Sequence, residues 1–411
     1  MNLYAKRREI IAKDMYNNSL MLIFSGNAVL RSEDQEYPFC VDRNFYYLTG
    51  LEKENIVLAI SKVNEVTSET LFVLPFDETL AKWVGGRYTV EEASEISDVG
   101  DVRYIEDLDT YVGKFYNQTR MFNNRVYFDM WHYTMDQRET ASSKYLKKIR
   151  DNYPGLRLVD AYPILTSMRL VKDDYEVECT KQAIAITKSG VEQMMKSIKP
   201  DLNEAAMAGL FSFVLAQNKV FELAFDTIAC AGKRATILHY HDNNQDMKDG
   251  ELFLCDLGST FKHYCADVSR TFPVNGKFTD RQKELYQVVL NAQKIVEHNA
   301  KPGTTTKALN QLVIDYYKVE LPKHGLNKPV SEYYFHGVSH QIGLDVHDVG
   351  SGSGLELRAG NIISNEPGLY IEDENIGIRI EDDLLITGTG CTNLTADIIK
   401  EINDIEVFMN K

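Results

Sequence analysis

The chain has 411 residues, 44% hydrophobic, 26% charged and 10% aromatic, with only 25 Gly and 10 Pro. That balance suits folded domains of ~100–200 residues, hence about two, and disfavours disorder, collagen-like repeats or a disulfide-stapled miniature. Sixty acidic against 45 basic side chains give a formal net charge of −15, which repels phosphate backbones and anionic lipid, so nucleic acid and membrane are poor partners.

No stretch approaches the ~20 apolar residues of a membrane span. The earliest apolar run, Leu20 to Phe24, is far shorter, and the basic start at Arg7 and Arg8 leads into mixed residues rather than a secretory core. A cytoplasmic protein is expected. Short apolar runs at Val57–Ile60, Thr70–Leu74 and Val126–Phe128 read as strands, and the patterns at Thr89–Ser97 and Ser142–Tyr153 as helices. They predict an α/β amino-terminal domain over residues 1–165. Pro154, Gly155 and Pro163 break the pattern before a long helix opens near Asp173, which places a second domain at 166–411.

Within the second domain the same theme recurs. A helix from Asp174 to Ile198 stops at Lys199-Pro200, a second runs to about Asn218, and strands follow at Glu251–Gly258 and His263–Phe272. Thr279 with Gln282 then forms a capping box for a helix to about Asn299. Lys301-Pro302-Gly303 ends it, another helix reaches about Glu320, and strands come again at Ile362–Ile371 and Gly377–Ile386. The expected fold class is α+β, with two helix–hairpin halves behind a smaller α/β domain. Cys40, Cys179, Cys230, Cys255, Cys265 and Cys391 are scattered without a C-x-x-C pair and read as free, mostly buried thiols.

Asp256 and Asp267 interrupt strands that are otherwise apolar. A hairpin centred between Phe261 and Lys262 sets them opposite each other, with Cβ atoms ~5 Å apart. Like charges that close need a proton or a cation between them, unless one aspartate turns to solvent. In the second hairpin a polar turn centred on Asp373 and Glu374 sets Glu366 opposite Glu381. Alternation turns Arg379 to the same face, either toward the site or into a structural ion pair. Five of the nine histidines fall in two windows, His239 with His241, and His336 with His340 and His347. His336 and His340 have the spacing of zinc helices but no glutamate between them, and Gly337 and Gly343 argue for a loop or strand instead. Four carboxylates and one imidazole make an oxygen-rich site suited to Mn2+ and able to take Co2+, Fe2+ or Zn2+. Four negative charges balance two divalent ions, and paired metals of this kind serve hydrolysis.

Asp256-Leu-Gly with Tyr264, Asp267 and Arg270-Thr-Phe-Pro-Val-Asn-Gly, then His336-Gly-Val-Ser-His340, Gly343-Leu-Asp-Val-His347-Asp, Glu366-Pro-Gly-Leu-Tyr370 and Gly377-Ile-Arg-Ile-Glu381-Asp-Asp, resemble the pita-bread metallopeptidases. Within them the likeness is greatest to the Xaa-Pro aminopeptidases (aminopeptidase P), with prolidases next. Tyr37-Pro-Phe, Asn44 to Gly50 and Trp83 to Arg87 look like the amino-terminal domain of the same enzymes. The resemblance implies dinuclear ligands at Asp256, Asp267, His340, Glu366 and Glu381, with Glu366 also moving a proton. It further implies a substrate-binding role for His239, stabilisation of the tetrahedral intermediate by His336 and His347, and an arginine, Arg379, coupled to the metals. Asp34 and Trp83 resemble residues that help close the substrate pocket in tetrameric relatives, so a homo-oligomer, dimer or tetramer, is expected. The implied reaction is release of the first residue from peptides with proline second. The alternatives are a prolidase restricted to X-Pro dipeptides and a scaffold that binds a protein partner without catalysis. All five ligand positions are filled, which speaks against the scaffold.

Overall fold

A computed structural model describes residues 2–350, 352 and 354–411. The chain divides into two compact units, Met1–Ser167 and Met168–Lys411. Among the described residues no helix is long and apolar enough to cross a membrane.

The first unit is built on a six-stranded mixed sheet in the order Val102–Tyr104, Val66–Val73, Val57–Val63, Ser19–Phe24, Arg125–Phe128, Arg157–Asp160. The apolar run at Leu20 is thus an inner strand, antiparallel to Val57–Val63 and parallel to Arg125–Phe128. Its residues are buried on both faces, which is why it reads as an unbroken apolar run rather than an alternation. Leu108, Val112 and Phe115 of one helix and Ile149 of another pack with Leu20, Phe72, Val126 and Phe128 as the core.

In the second unit the order helix, helix, hairpin occurs twice. Asp174–Ser197 opens on a capping box between Asp173 and Glu176, Glu204–Gln217 follows, and Leu252–Leu257 then pairs with Val268–Pro273. Asp280–Asn299 opens on the expected box between Thr279 and Gln282, Thr306–Glu320 follows, and Ile362–Asn365 pairs with Asp382–Ile386. Each hairpin continues past a break into a short tip, Thr260–Phe261 with Tyr264–Cys265 in one and Gly368–Ile371 with Ile376–Arg379 in the other. Cys179, Cys230 and Cys255 are buried free thiols.

The first hairpin departs from the expected register. Its turn is Lys262–His263, not Phe261–Lys262, and both turn residues are left-handed, with φ of 53° and 64°. That is the geometry of a type I′ turn, whose twist matches its strands, here built without the usual Asn-Gly. His263 is held by its ring Nδ1, 2.7 Å from Glu222 Oε2. Asp256 consequently pairs with Ser269, and Asp267 lies one step beyond the Leu257–Val268 pair as a diagonal neighbour of Asp256. The correction is a shift by two residues, an even number, so Asp256, Asp267 and Ser269 still share one face.

The second hairpin keeps its expected register, Gly368 with Arg379 and Asn365 with Asp382. Glu366 and Glu381 thereby stand opposite each other in the gap between tip and base. Arg270, fully buried, ties the two hairpins together. Its Nη1 donates to Ser269 O and Glu381 O, its Nη2 to Asp382 Oδ1 and Ile398 O, and its Nε to Ile399 O.

Candidate metal centre

Asp267 from the first hairpin, Glu381 from the second and His340 from the intervening loop bring ligand atoms within 4.8 Å of one another. His336 to His340 run as irregular chain, as the two glycine positions suggested. Ser364 fixes part of this loop, its Oγ accepting from His340 N at 2.9 Å and donating to Glu366 Oε1 at 3.2 Å. His340 Nδ1 lies 3.1 Å from Gln341 O, which assigns the proton to that nitrogen. The Nε2 lone pair is then aimed at Asp267 Oδ2 and Glu366 Oε1, 3.3 and 3.4 Å away. A lone pair facing two carboxylate oxygens is repulsive unless a proton or a cation lies between them. An imidazole whose far N–H is taken by a backbone carbonyl is also the usual arrangement for a metal ligand.

The acids agree. Burial pushes the carboxyls of Asp267 and Glu381 well above the usual range, and the neighbouring carboxylates push them further. Burial raises Glu366 too. Asp256 Oδ1 is buried and meets no hydrogen-bond donor among the described residues. Divalent cations would relieve each of these costs, so the residues present fit the metals.

Arg379, 4% exposed, spreads its fork across both hairpins. Nη2 donates to Asp256 Oδ2 at 2.7 Å, Nε to Ser269 Oγ at 2.7 Å and Nη1 to the Tyr370 hydroxyl at 3.0 Å. Ser269 passes the contact on, donating to Glu381 Oε2 at 2.9 Å. The guanidinium therefore lies at the cluster and not in a remote ion pair. Tyr370, having accepted from Arg379, donates to His336 Nε2 at 2.9 Å, and His336 Nδ1 donates to Gly337 O at 2.8 Å. Accepting at Nε2 requires a neutral ring, and burial, assisted by Arg379, lowers His336 to about 4. His347 packs edge-on against His340, ring centroids 4.3 Å apart, and is lowered to about 4 by burial and by His340.

His239 is exposed, its ring 6.2 Å from that of His241, and it stands near enough to help lower both His336 and His347. The structure thus gathers Asp256, Asp267, His336, His340, His347, Glu366, Arg379 and Glu381, with His239 near. Asp34 and Trp83 belong to the first unit. Asp34 is exposed, and Trp83 is 83% exposed on Glu78–Val84, a helix that buries none of its residues. Sequence reasoning missed Ser269, Ser364, Tyr370 and Asp383, the last fully buried and accepting from Asp267 N at 3.2 Å. The available signal was spacing, because Ser269 and Ser364 each lie two residues from a candidate ligand on a buried strand.

Residues 178–388 match the model of metallopeptidase family M24, and residues 4–123 match that of the aminopeptidase P N-terminal domain. The Xaa-Pro aminopeptidase of Haemophilus influenzae is 33% identical over 99% of this chain and 97% of its own length. A Bacillus anthracis structure described as an aminopeptidase P superposes with a TM-score of 0.96 at 38% identity, covering 99% of this chain and 98% of that one. Escherichia coli aminopeptidase P with the inhibitor Pro-Leu gives a TM-score of 0.87 at 30% identity, again over 99% and 98%. With one family spanning the hairpins that hold the acid cluster, and full-length relatives on either measure, the chain belongs to metallopeptidase family M24 and carries an aminopeptidase P amino-terminal domain.

Proposed function

We infer that the chain is a metal-dependent exopeptidase that releases the first residue from peptides with proline in second position. The observation that carries this is the buried cluster of Asp267, His340 and Glu381, set in a chain similar throughout its length to Xaa-Pro aminopeptidases.

In this reading Asp256, Asp267, His340, Glu366 and Glu381 hold two divalent cations, whose four charges match the four carboxylates. The oxygen-rich set favours Mn2+, with Co2+, Fe2+ or Zn2+ also accommodated. When bound, such ions supply Lewis-acid polarisation and a water acidic enough to lose its proton at neutral pH. The remaining work falls to the chain. Glu366, its Oε1 3.4 Å from His340 Nε2 at the heart of the cluster, is suited to take a proton and pass it to the departing nitrogen. His347, lowered to about 4 and so neutral at pH 7, can donate a hydrogen bond where the scissile oxygen gains charge. His336 holds the Tyr370 hydroxyl, and through it Arg379, in fixed orientation beside Asp256. His239 contacts substrate. An X-Pro bond has no N–H, so a site that asks none of that nitrogen accepts it where a site needing an amide donor would not.

Asp34 and Trp83 are exposed in the single chain. We place them at a pocket completed by other copies in a dimer or tetramer, for which sedimentation is the check. The buried free thiols suit a reducing cytoplasm. The reaction is tested with Mn2+-loaded protein on X-Pro and X-Pro-Y-Z peptides, with and without chelator. Chelator-sensitive cleavage of the tetrapeptide is expected. Cleavage of the dipeptide alone would identify a prolidase, and no cleavage of either would leave a binding scaffold.

A further inference from the structure

Between the strand Ile228–Ala231 and the isolated bridge at Asp246, the chain makes a long excursion that carries both His239 and His241. One side chain organises it. Glu204, the first residue of Glu204–Gln217, is a carboxylate with 0% exposure. Its Oε1 accepts from Ala231 N at 2.9 Å and Arg234 Nε at 2.6 Å, where the excursion begins. Its Oε2 accepts from the Tyr240 hydroxyl at 3.2 Å and from Gln245 N at 3.1 Å, where it ends. Asn203 adds bonds from Nδ2 to Asn244 O at 3.1 Å and to Asp246 Oδ1 at 2.8 Å.

The opposite side of the excursion is fixed as well. A Cβ on Gly377 would lie 1.9 Å from Ala235 O, so the loop backbone rests directly on the strand Ile376–Arg379 that carries the guanidinium of the cluster. Tyr240 points inward, 8% exposed, while its neighbour His239 points out. Burying a charge is costly, and an apolar residue of similar volume commonly serves stability as well. What a carboxylate adds is four directional bonds to one loop, which fix an adjoining side chain more closely than apolar packing does.

We propose that Glu204 is a positioning residue that holds the His239 loop in its substrate-facing conformation. The proposal rests on the reading that His239 contacts substrate. Glu204 touches no reacting group, so its loss weakens binding and leaves the chemical step largely intact. In Glu204→Gln the amide cannot accept from both Arg234 and Gln245, and one end of the loop is released.

The test is steady-state kinetics on an X-Pro-Y-Z peptide with Mn2+-loaded parent, Glu204→Gln, His239→Ala and the double variant. Glu204→Gln is expected to raise KM about 5-fold or more with kcat within about 2-fold, and to add less than about 2-fold to KM once His239 is already Ala. An equal rise in KM in both backgrounds, or a lowered Tm with KM unchanged, overturns the proposal. If His239→Ala itself leaves KM and kcat unaltered, the substrate role of His239 fails and the proposal with it. An effect of His239→Ala beside a silent Glu204→Gln sinks only the proposal. Should Glu204→Gln not fold, Tyr240→Phe carries the same comparison, since it removes one bond to Glu204. A KM rise of about 2-fold or more, absent in the His239→Ala background, supports the proposal, and an unchanged KM overturns it.

Discussion

Replacing Arg270 by Lys keeps the charge and most of the volume yet should be severe. The guanidinium serves five acceptors, the carbonyls of Ser269, Glu381, Ile398 and Ile399 and the carboxylate of Asp382. An ammonium has three donors on a tetrahedral centre, so at least two of these buried acceptors lose their partner. Each bond to a charged group contributes about 1.5–3 kcal/mol, which gives about 3–6 kcal/mol for the variant. For a unit of this size a destabilisation of 1 kcal/mol lowers Tm by roughly 2–4 °C, so a fall of about 6–24 °C is expected. Scanning calorimetry on chelated protein measures it without interference from bound cations. A shift below about 2 °C would show that the five bonds are not all made in solution, or that Lys400 and Gln293, which also reach Asp382, compensate.

Three further variants have expected outcomes. Asp267→Asn should lower bound metal at least ~10-fold by elemental analysis. The same variant, when chelated, should be no less stable than the chelated parent at pH 7, because burial and Asp256 raise the folded-state Asp267 and ionising it there costs stability; full metal content with full rate would mean the site is misplaced. Gly258→Ala would set a Cβ 1.9 Å from Ala266 O and should cost about 3 kcal/mol or more, read as a shifted urea midpoint, since backbone must move to admit it. Burial alone would raise Asp348, but Arg169 and Lys172 outweigh it and hold the carboxyl below its ordinary value. Its stabilisation is therefore complete above about pH 4 and lost as pH falls through the lower folded value. Asp348→Asn should remove that contribution to the acid limb, and parallel losses in parent and variant between pH 5 and pH 3 would refute the assignment.

The sequence was legible where a local rule and the tertiary structure agree. Thr279 and Gln282 announce their helix because the capping box is complete within four residues. Glu366 and Glu381 were paired correctly because four polar residues mark their turn. The first hairpin misled because Lys262 and His263 occupy left-handed backbone without a glycine or asparagine to signal it. The helix Leu3–Asp14 escaped notice because its inward face includes Arg7 and Arg8. Arg8 is wholly buried, donating to Leu48 O and Ser97 O, and an apolar periodicity cannot register a guanidinium pointed at the core. At the site, the acids stood out because a charge in a buried strand is anomalous. Tyr370 and Ser269 did not, since a hydroxyl in a strand is ordinary until its partners are seen. Glu204 is hidden for the same reason, as one acid among many at helix amino-termini.

The two hairpins that supply Asp267 and Glu381 are joined laterally by the Ser269–Glu381 bond, across a sequence separation of 112 residues. A cation shared by those acids would therefore hold the two hairpins together in the folded state as well as serve as a reagent. Loading then couples to folding by mass action, contributing about 4 kcal/mol when free metal exceeds its dissociation constant 1,000-fold. A cell short of the metal would lose more than turnover. It would hold a population of this enzyme closer to unfolding, so that metal supply sets the lifetime of the protein as well as its rate.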